Sequence, residues 1–344
     1  MPKSSVADDY LKDLKLEAVE KWRMMELRKE IKSLILYLPM LFINAIRLKR
    51  FLKIHQIDLI HVNDLYNLLP PMARILGCKV PYICHVRFMP DAFPEIVFNF
   101  WLRVHMRYSY KIIAVSQILL KKLPVHEKLV MINDGLPFEN GQEKMEEKTN
   151  GTDNHTFLYV ANMIEGKGQN FALDAFSLIH EQLPGWKLRF VGGDMGLKKN
   201  REYIELLKSK SEKLKVANKI EWKGFTNDIE WEYKHADIVL NFSESESFSM
   251  TCLEALYFGK PMIASESGGP SEIIENNVTG VLVTNGDSRA MSEAMKKVAM
   301  NKNRREEMGL KARAVVRQKF STRNTSSKLE DLYDRILSGN DKML

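Results

Sequence analysis

The sequence predicts an α/β protein of two doubly wound parallel-sheet domains. Three observations carry this expectation. The chain has 344 residues, a length that suits two domains. From Ile57 onward, short Val- and Ile-rich apolar runs recur. Helix-length stretches separate them. Continuous rather than alternating apolar runs mark strands buried on both faces, and alternation with helices implies a parallel sheet.

Residues 1–56 are expected to be helical, because LKDLKLEAVEKWRMMELRKEIK places apolar residues at helical spacing. SLILYLPMLFINAI, from Ser33 to Ile46, is strongly apolar, but shorter than the roughly twenty residues that span a bilayer. Pro39 is expected to kink or break it, giving a buried helix pair. RLKRFLK follows directly, so an interfacial membrane contact stays open as the second reading. Residues 57–138 then form an incomplete, Rossmann-like N-terminal domain with strands at IDLIHV, VPYICHV, KIIAVS and KLVMIN. Residues 139–155, polar and rich in Gly, Asn and Glu, form a linker.

Residues 156–320 alternate cleanly. The strands are TFLYVA, KLRFVGG, KIEWKG, DIVLNF, PMIAS and GVLV. Helices follow Gly168, around Tyr203, near Asp228, and from Ser249, Pro270 and Ser288. Residues 321–344 are a C-terminal helix that can cross back to the first domain. In such sheets ligands bind beyond the carboxyl ends of the strands, so the loops after those strands are the places to search.

Charge narrows the partners. A formal net charge of +7 suits nucleotides or anionic surfaces as well as plain solubility. No zinc-finger or RNP-type signature is present, so nucleic acid is not expected. The three cysteines, Cys78, Cys84 and Cys252, have no metal-ligand spacing. With no signal-peptide pattern, they indicate reduced thiols in a cytoplasmic protein.

The densest signal is ESESFSMTCLEALYFGKP, Glu244–Pro261. Ser249 is a good N-cap, and Gly259 with Pro261 stops the helix it opens. That helix begins at the ligand-binding edge of the sheet, where free N–H groups and the helix dipole attract anions. Glu246 and Glu254 flank this point. Neither suits a phosphate, but both accept from hydroxyls, so a diphosphate carrying polyhydroxyl groups at both ends fits. A nucleotide sugar is such a ligand. Glutamates eight apart also arise by chance in a chain with 28% charged residues. NMIEGKGQN, Asn162–Asn170, adds Lys167 between Gly166 and Gly168 at the end of the preceding strand. FVGGDMG, with Gly193, adds a third glycine turn.

These residues together resemble the family 4 retaining glycosyltransferases, which have the GT-B fold of two Rossmann-type domains facing a cleft. ESFSMTCLEALYFGKPMIASESGGPSEIIENNVTGVLV is similar to the family's E-x7-E region. NMIEGKGQNFALDAF is similar to its phosphate loop, and KIEWKGF to its nucleobase-side loop. IDLIHVND, VPYICHVR, IIAVSQ and INDGLP resemble its N-terminal domain. The resemblance implies transfer of a sugar from a nucleoside diphosphate to an acceptor hydroxyl with retained configuration, in polysaccharide or glycoconjugate synthesis. It implies no cofactor and no metal, and the chain contains no D-x-D.

Residue by residue, the resemblance places Lys167 on the donor diphosphate with Gly168. Glu254 meets the ribose and Glu246 the donor sugar. The backbone of Phe248, Ser249 and Met250 meets phosphate and sugar, and Phe225 lies beside the base. Glu246, His85 and Lys167 form the catalytic group, with His85 and Arg87 on the acceptor side. The acceptor is a sugar, a lipid-linked species or a glycan, which places a peripheral contact on the inner membrane face among the expectations.

Two departures stand out. Asn162 occupies the position where the family usually has an arginine; Arg87 and the Lys198–Lys199 pair are candidate replacements for its charge. The family also opens with a strand and a glycine-rich loop before any counterpart of IDLIHVND, and residues 1–56 show neither. This motivates a second reading, a nucleotide-sugar-binding partner subunit, beside a third, a sugar-nucleotide epimerase.

Overall fold

A computed structural model of the chain describes residues 31–136 and 155–339. The expected helices before residue 31 and almost all of the linker lie outside the described residues. The chain divides into two compact units. One holds the N-terminal residues to Ala114, Pro124–Val130 and the chain from Glu330; the other holds Val115–Leu123 and Met131–Leu329.

The first unit opens with helix α1, Ile31–Ile54, which runs through Pro39 without a break. This corrects the expectation of a helix pair. Proline removes one hydrogen bond and crowds the preceding turn, but here the long apolar run continues as one helix. The expected burial is corrected too. Leu41, Ala45 and Leu52 are buried, the last two packing with Ala73 and Cys78, while Leu38 is 61% exposed and Met40, Phe42 and Ile43 are also exposed. Among the described residues no helix is long and apolar enough to cross a membrane.

Four strands follow: β1 (Ile60–Asn63), β2 (Tyr82–Val86), β3 (Lys111–Ala114) and β4 (Leu129–Met131). They lie side by side in chain order, and β1, β2 and β3 pair in parallel. Among the described residues this sheet has no reversal of strand order. Every residue of β2 is buried, which is why VPYICHV reads as a continuous apolar run rather than an alternating one. Tyr333, from the C-terminal helix, places its hydroxyl 2.6 Å from His61 Nδ1 on β1.

The second unit is a six-stranded sheet: β5 (His155–Val160), β6 (Trp186–Val191), β7 (Ile220–Gly224), β8 (Ile238–Asn241), β9 (Met262–Ser265) and β10 (Gly280–Val283). The order is β10-β9-β8-β5-β6-β7, with every pair parallel. The chain starts in the middle, builds outward through β6 and β7, then returns to build the other way from β8. The order therefore reverses between β5 and β8, and such a reversal leaves a crevice beyond the strand ends. Phe157, Phe176, Trp186 and Leu188 fill the core beneath, with the Phe157 and Trp186 rings 4.3 Å apart. Helix α2, Met250–Tyr257, and the helix Ser288–Ala299 start where the sequence indicates. The element expected from Pro270 is a single turn, Pro270–Ile273, and the helix expected around Tyr203 begins earlier, at Lys198.

Candidate functional site

Strands β5 and β8 are neighbours, so the loops that follow them meet. The loop after β5 carries Lys167, and the loop after β8 carries Glu246. Lys167 Nζ lies 2.9 Å from Glu246 Oε1, with both side chains partly exposed. The sequence indicates a cation for phosphate and an anion for hydroxyls as separate contacts. The structure adds that they hold each other.

Two features fix this geometry. Gly168 has φ +79°, and a Cβ there would meet the Phe242 carbonyl oxygen at 2.0 Å. Only glycine lets the β5 loop lie this close to the end of β8. The buried Tyr159 hydroxyl bridges the same gap. It donates to the Lys167 carbonyl at 2.5 Å and accepts from the Phe242 amide at 2.8 Å.

Ser249 caps α2, its hydroxyl accepting from the Cys252 amide and from the Asn241 side chain. The Met250 and Thr251 amides take no protein acceptor among the described residues. The helix end thus keeps donors for an anion while one is self-capped. Ser249 has φ +129°, a conformation that L-residues seldom adopt and that clusters at functional sites.

Glu254 sits in the second turn of α2. Its Oε2 accepts from the Tyr233 hydroxyl at 2.7 Å. Burial raises the pKa of Glu254, and the Tyr233 hydrogen bond opposes that shift. Tyr233 is buried completely, and its own pKa is pushed far up by burial first and the Glu254 charge second. It therefore keeps its proton and donates.

The remaining expected residues fall at the same strand ends. Asn162 follows β5, and its carbonyl accepts from Gln169. Gly193 follows β6; a Cβ there would lie 3.3 Å from Phe225 Cβ, and Phe225, after β7, is 62% exposed. The Gly193 carbonyl accepts from the Met163 amide, and Gly224 accepts from Gly192, so these three loops are stitched together. The Phe248 side chain is buried against Phe320 at 5.7 Å, and its backbone packs on Gly269, where a Cβ would lie 2.0 Å from the Phe248 carbonyl oxygen. Lys198 and Lys199 are exposed on the first turn of their helix, with Lys198 3.5 Å from Glu202.

In the first unit, His85 on β2 is 1% exposed and stacks on His61 at 5.4 Å. Arg87 lies on the surface, with its guanidinium 3.4 Å from His85 Nδ1 and its amide bonded to Asp64. Burial, assisted by Arg87, lowers the His61 pKa to about 4, so that ring is neutral at physiological pH. Sequence reasoning missed Tyr233, Tyr159 and the Lys167–Glu246 pair. No local pattern signals contacts between residues 21, 83 or 79 positions apart.

Comparison with known proteins bears on the family and the fold. Residues 141–315 match the family model described as glycosyl transferases group 1. An alpha-1,3/1,6-mannosyltransferase of Dictyostelium discoideum is 29% identical over 54% of this chain and 46% of its own. A capsular polysaccharide biosynthesis glycosyltransferase of Staphylococcus aureus is 24% identical over 68% of this chain and 64% of its own. The chain therefore spans about half the length of the first relative and under two thirds of the second. Among solved structures, Anabaena HepE in complex with UDP and glucose superposes with a TM-score of 0.74 at 20% identity, covering 84% of this chain and 80% of that one. Sucrose-phosphate synthase of Thermosynechococcus elongatus gives 0.75 at 18% identity, over 90% and 81%. The two parallel sheets thus have the expected GT-B fold.

Proposed function

Because the chain belongs to the glycosyl transferases group 1 family, we propose that it moves a sugar from a nucleoside-diphosphate sugar to an acceptor hydroxyl with retention of configuration, in polysaccharide or glycoconjugate synthesis. One observation carries the reading. A cation and an anion, Lys167 and Glu246, stand together at the reversal of strand order beside the open amides of α2.

The chemistry follows from that arrangement. A partly exposed ion pair contributes only about 0–1 kcal/mol, so a diphosphate can take Lys167 from Glu246 at little cost. Glu246 is then released to accept from a sugar hydroxyl. Glu254 accepts from the ribose, and Phe225 offers an exposed ring to the base. As the sugar leaves, charge builds on the diphosphate, where Lys167 and the Met250 and Thr251 amides stabilise it. The departing phosphate takes the acceptor proton on the same face. These groups supply the counter-charge, so the reaction is proposed to proceed without a metal. The exposed Leu38, Met40, Phe42 and Ile43 of α1, followed by Arg47, Arg50 and Lys53, support a peripheral contact with an anionic bilayer bearing the acceptor.

The first sheet, in chain order and without a reversal among the described residues, favours a nucleotide-sugar-binding partner subunit as the second reading. A thermal-shift screen of UDP-, GDP- and ADP-sugars tests the donor site; a ligand at a hundred times its Kd adds about 2.7 kcal/mol of stability. Transfer assayed with and without chelator then tests the reaction. Transfer lost in Glu246→Ala is the expected result. Transfer that survives it unchanged refutes the assignment, and binding without turnover favours the second reading.

A further inference from the structure

Phe258 caps the C-terminus of the helix that carries Glu254, and its ring stacks on Tyr233 at 5.4 Å and 11°. The tyrosine is thus locked by packing with its hydroxyl aimed at one carboxylate oxygen. Among the described residues the other oxygen of Glu254 takes no protein donor. A half-buried carboxylate with one oxygen pinned cannot turn about its last torsion without losing a charge-assisted bond.

We infer that Tyr233 is a positioning residue for donor choice: by holding Oε2 of Glu254, it presents Oε1 to the ribose hydroxyls and sets the preference for ribonucleotide over deoxyribonucleotide donors. The inference rests on the proposed function, in which Glu254 meets the ribose. Tyr233 touches no donor atom in this scheme and acts through Glu254; its hydroxyl also meets the Thr251 side chain, a contact whose loss would weaken the ribo and dideoxy forms alike.

The alternative is a purely structural tyrosine whose hydroxyl only satisfies a buried carboxylate. The two roles differ in what Tyr233→Phe does. That substitution keeps the ring and its stack on Phe258, and removes only the hydroxyl. A structural role lowers stability and affects all nucleotides alike. A positioning role weakens the ribonucleotide and spares its dideoxy counterpart.

The experiment uses the full chain and calorimetric affinities for UDP, GDP or ADP, whichever shifts the wild type most, and for its 2′,3′-dideoxy form. The wild type is expected to prefer the ribo form by about tenfold, the worth of a hydrogen bond to a charged group. Y233F is expected to reduce that preference to within about twofold, with dideoxy affinity unchanged. The acid limb of ribonucleotide binding should also move to higher pH, because losing the donor leaves burial unopposed at Glu254.

If Y233F does not fold, Phe258→Leu decides. It keeps the Tyr233 hydroxyl but removes the ring stacked on it at 5.4 Å, so the preference is expected to fall towards about twofold. A preference retained in F258L shows that packing on Tyr233 does not orient the carboxylate, and overturns the inference. So does a Y233F preference equal to wild type. A wild type that binds nucleotide with no ribo preference instead defeats the ribose assignment to Glu254, and so the reading on which the inference stands.

Discussion

Gly168 and Gly166 flank Lys167 and give a matched pair of perturbations. Both have positive φ, at +79° and +88°. A Cβ at Gly166 meets nothing within 4 Å, whereas one at Gly168 would sit 2.0 Å from the Phe242 carbonyl oxygen and 2.8 Å from the Tyr159 hydroxyl. Gly166→Ala therefore costs only the left-handed backbone penalty, about 1–2 kcal/mol. Gly168→Ala costs that and more. An ordinary carbon–oxygen contact is about 3.3 Å or longer, so the loop must retreat by roughly 1.3 Å. That retreat breaks the Tyr159 bridge, two hydrogen bonds worth about 1 kcal/mol each.

The total for Gly168→Ala is about 3–4 kcal/mol. For a unit of this size it lowers Tm by about 10 °C, against about 4 °C for Gly166→Ala. Because Lys167 rides on the displaced loop, nucleoside-diphosphate affinity is expected to fall more than about tenfold in Gly168→Ala, and to change little in Gly166→Ala. Differential scanning calorimetry and titration calorimetry read both quantities. Two variants with the same Tm and the same affinity would refute the claim that close packing on Phe242 holds the lysine in place.

Two further outcomes follow from the same site. Lys167→Ala is expected to weaken nucleotide binding far more than His85→Ala, since one removes the cation proposed to meet the diphosphate and the other a ring buried in the first sheet; equal affinities by calorimetry contradict this. Tyr159→Phe deletes both arms of the bridge inside a buried site and should cost about 2 kcal/mol, seen as a lowered midpoint in urea with unchanged slope.

Much of this architecture was legible in the chain. TFLYVA, DIVLNF and PMIAS are short, apolar and bounded by turn residues, and each became a central strand because burial on both faces leaves no alternation to misread. Ser249 was legible as a cap, and the stretches bearing Lys167 and Glu246 as loops at the carboxyl ends of strands. What was not legible depends on sheet order. No local pattern says that β5 and β8 are neighbours, so the Lys167–Glu246 pair and the Tyr159 bridge could not be seen. Tyr233 reads in sequence as one more aromatic on a short helix, and only tertiary packing aims it at Glu254. Pro39 misled because its local cost was weighed without the length of helix on either side.

Glu246 is fastened on both sides to the loop after β9: its amide donates to Ser267, and its carbonyl accepts from Gly269, whose missing side chain leaves room for Phe248. The turn carrying Glu246 and the Ser267–Gly269 turn therefore behave as one graftable cassette rather than two. Attempts to re-engineer donor choice by swapping residues 243–249 from another enzyme should fail unless residues 266–270 travel with them, and libraries that diversify both segments jointly should recover active chimaeras where single-segment libraries do not.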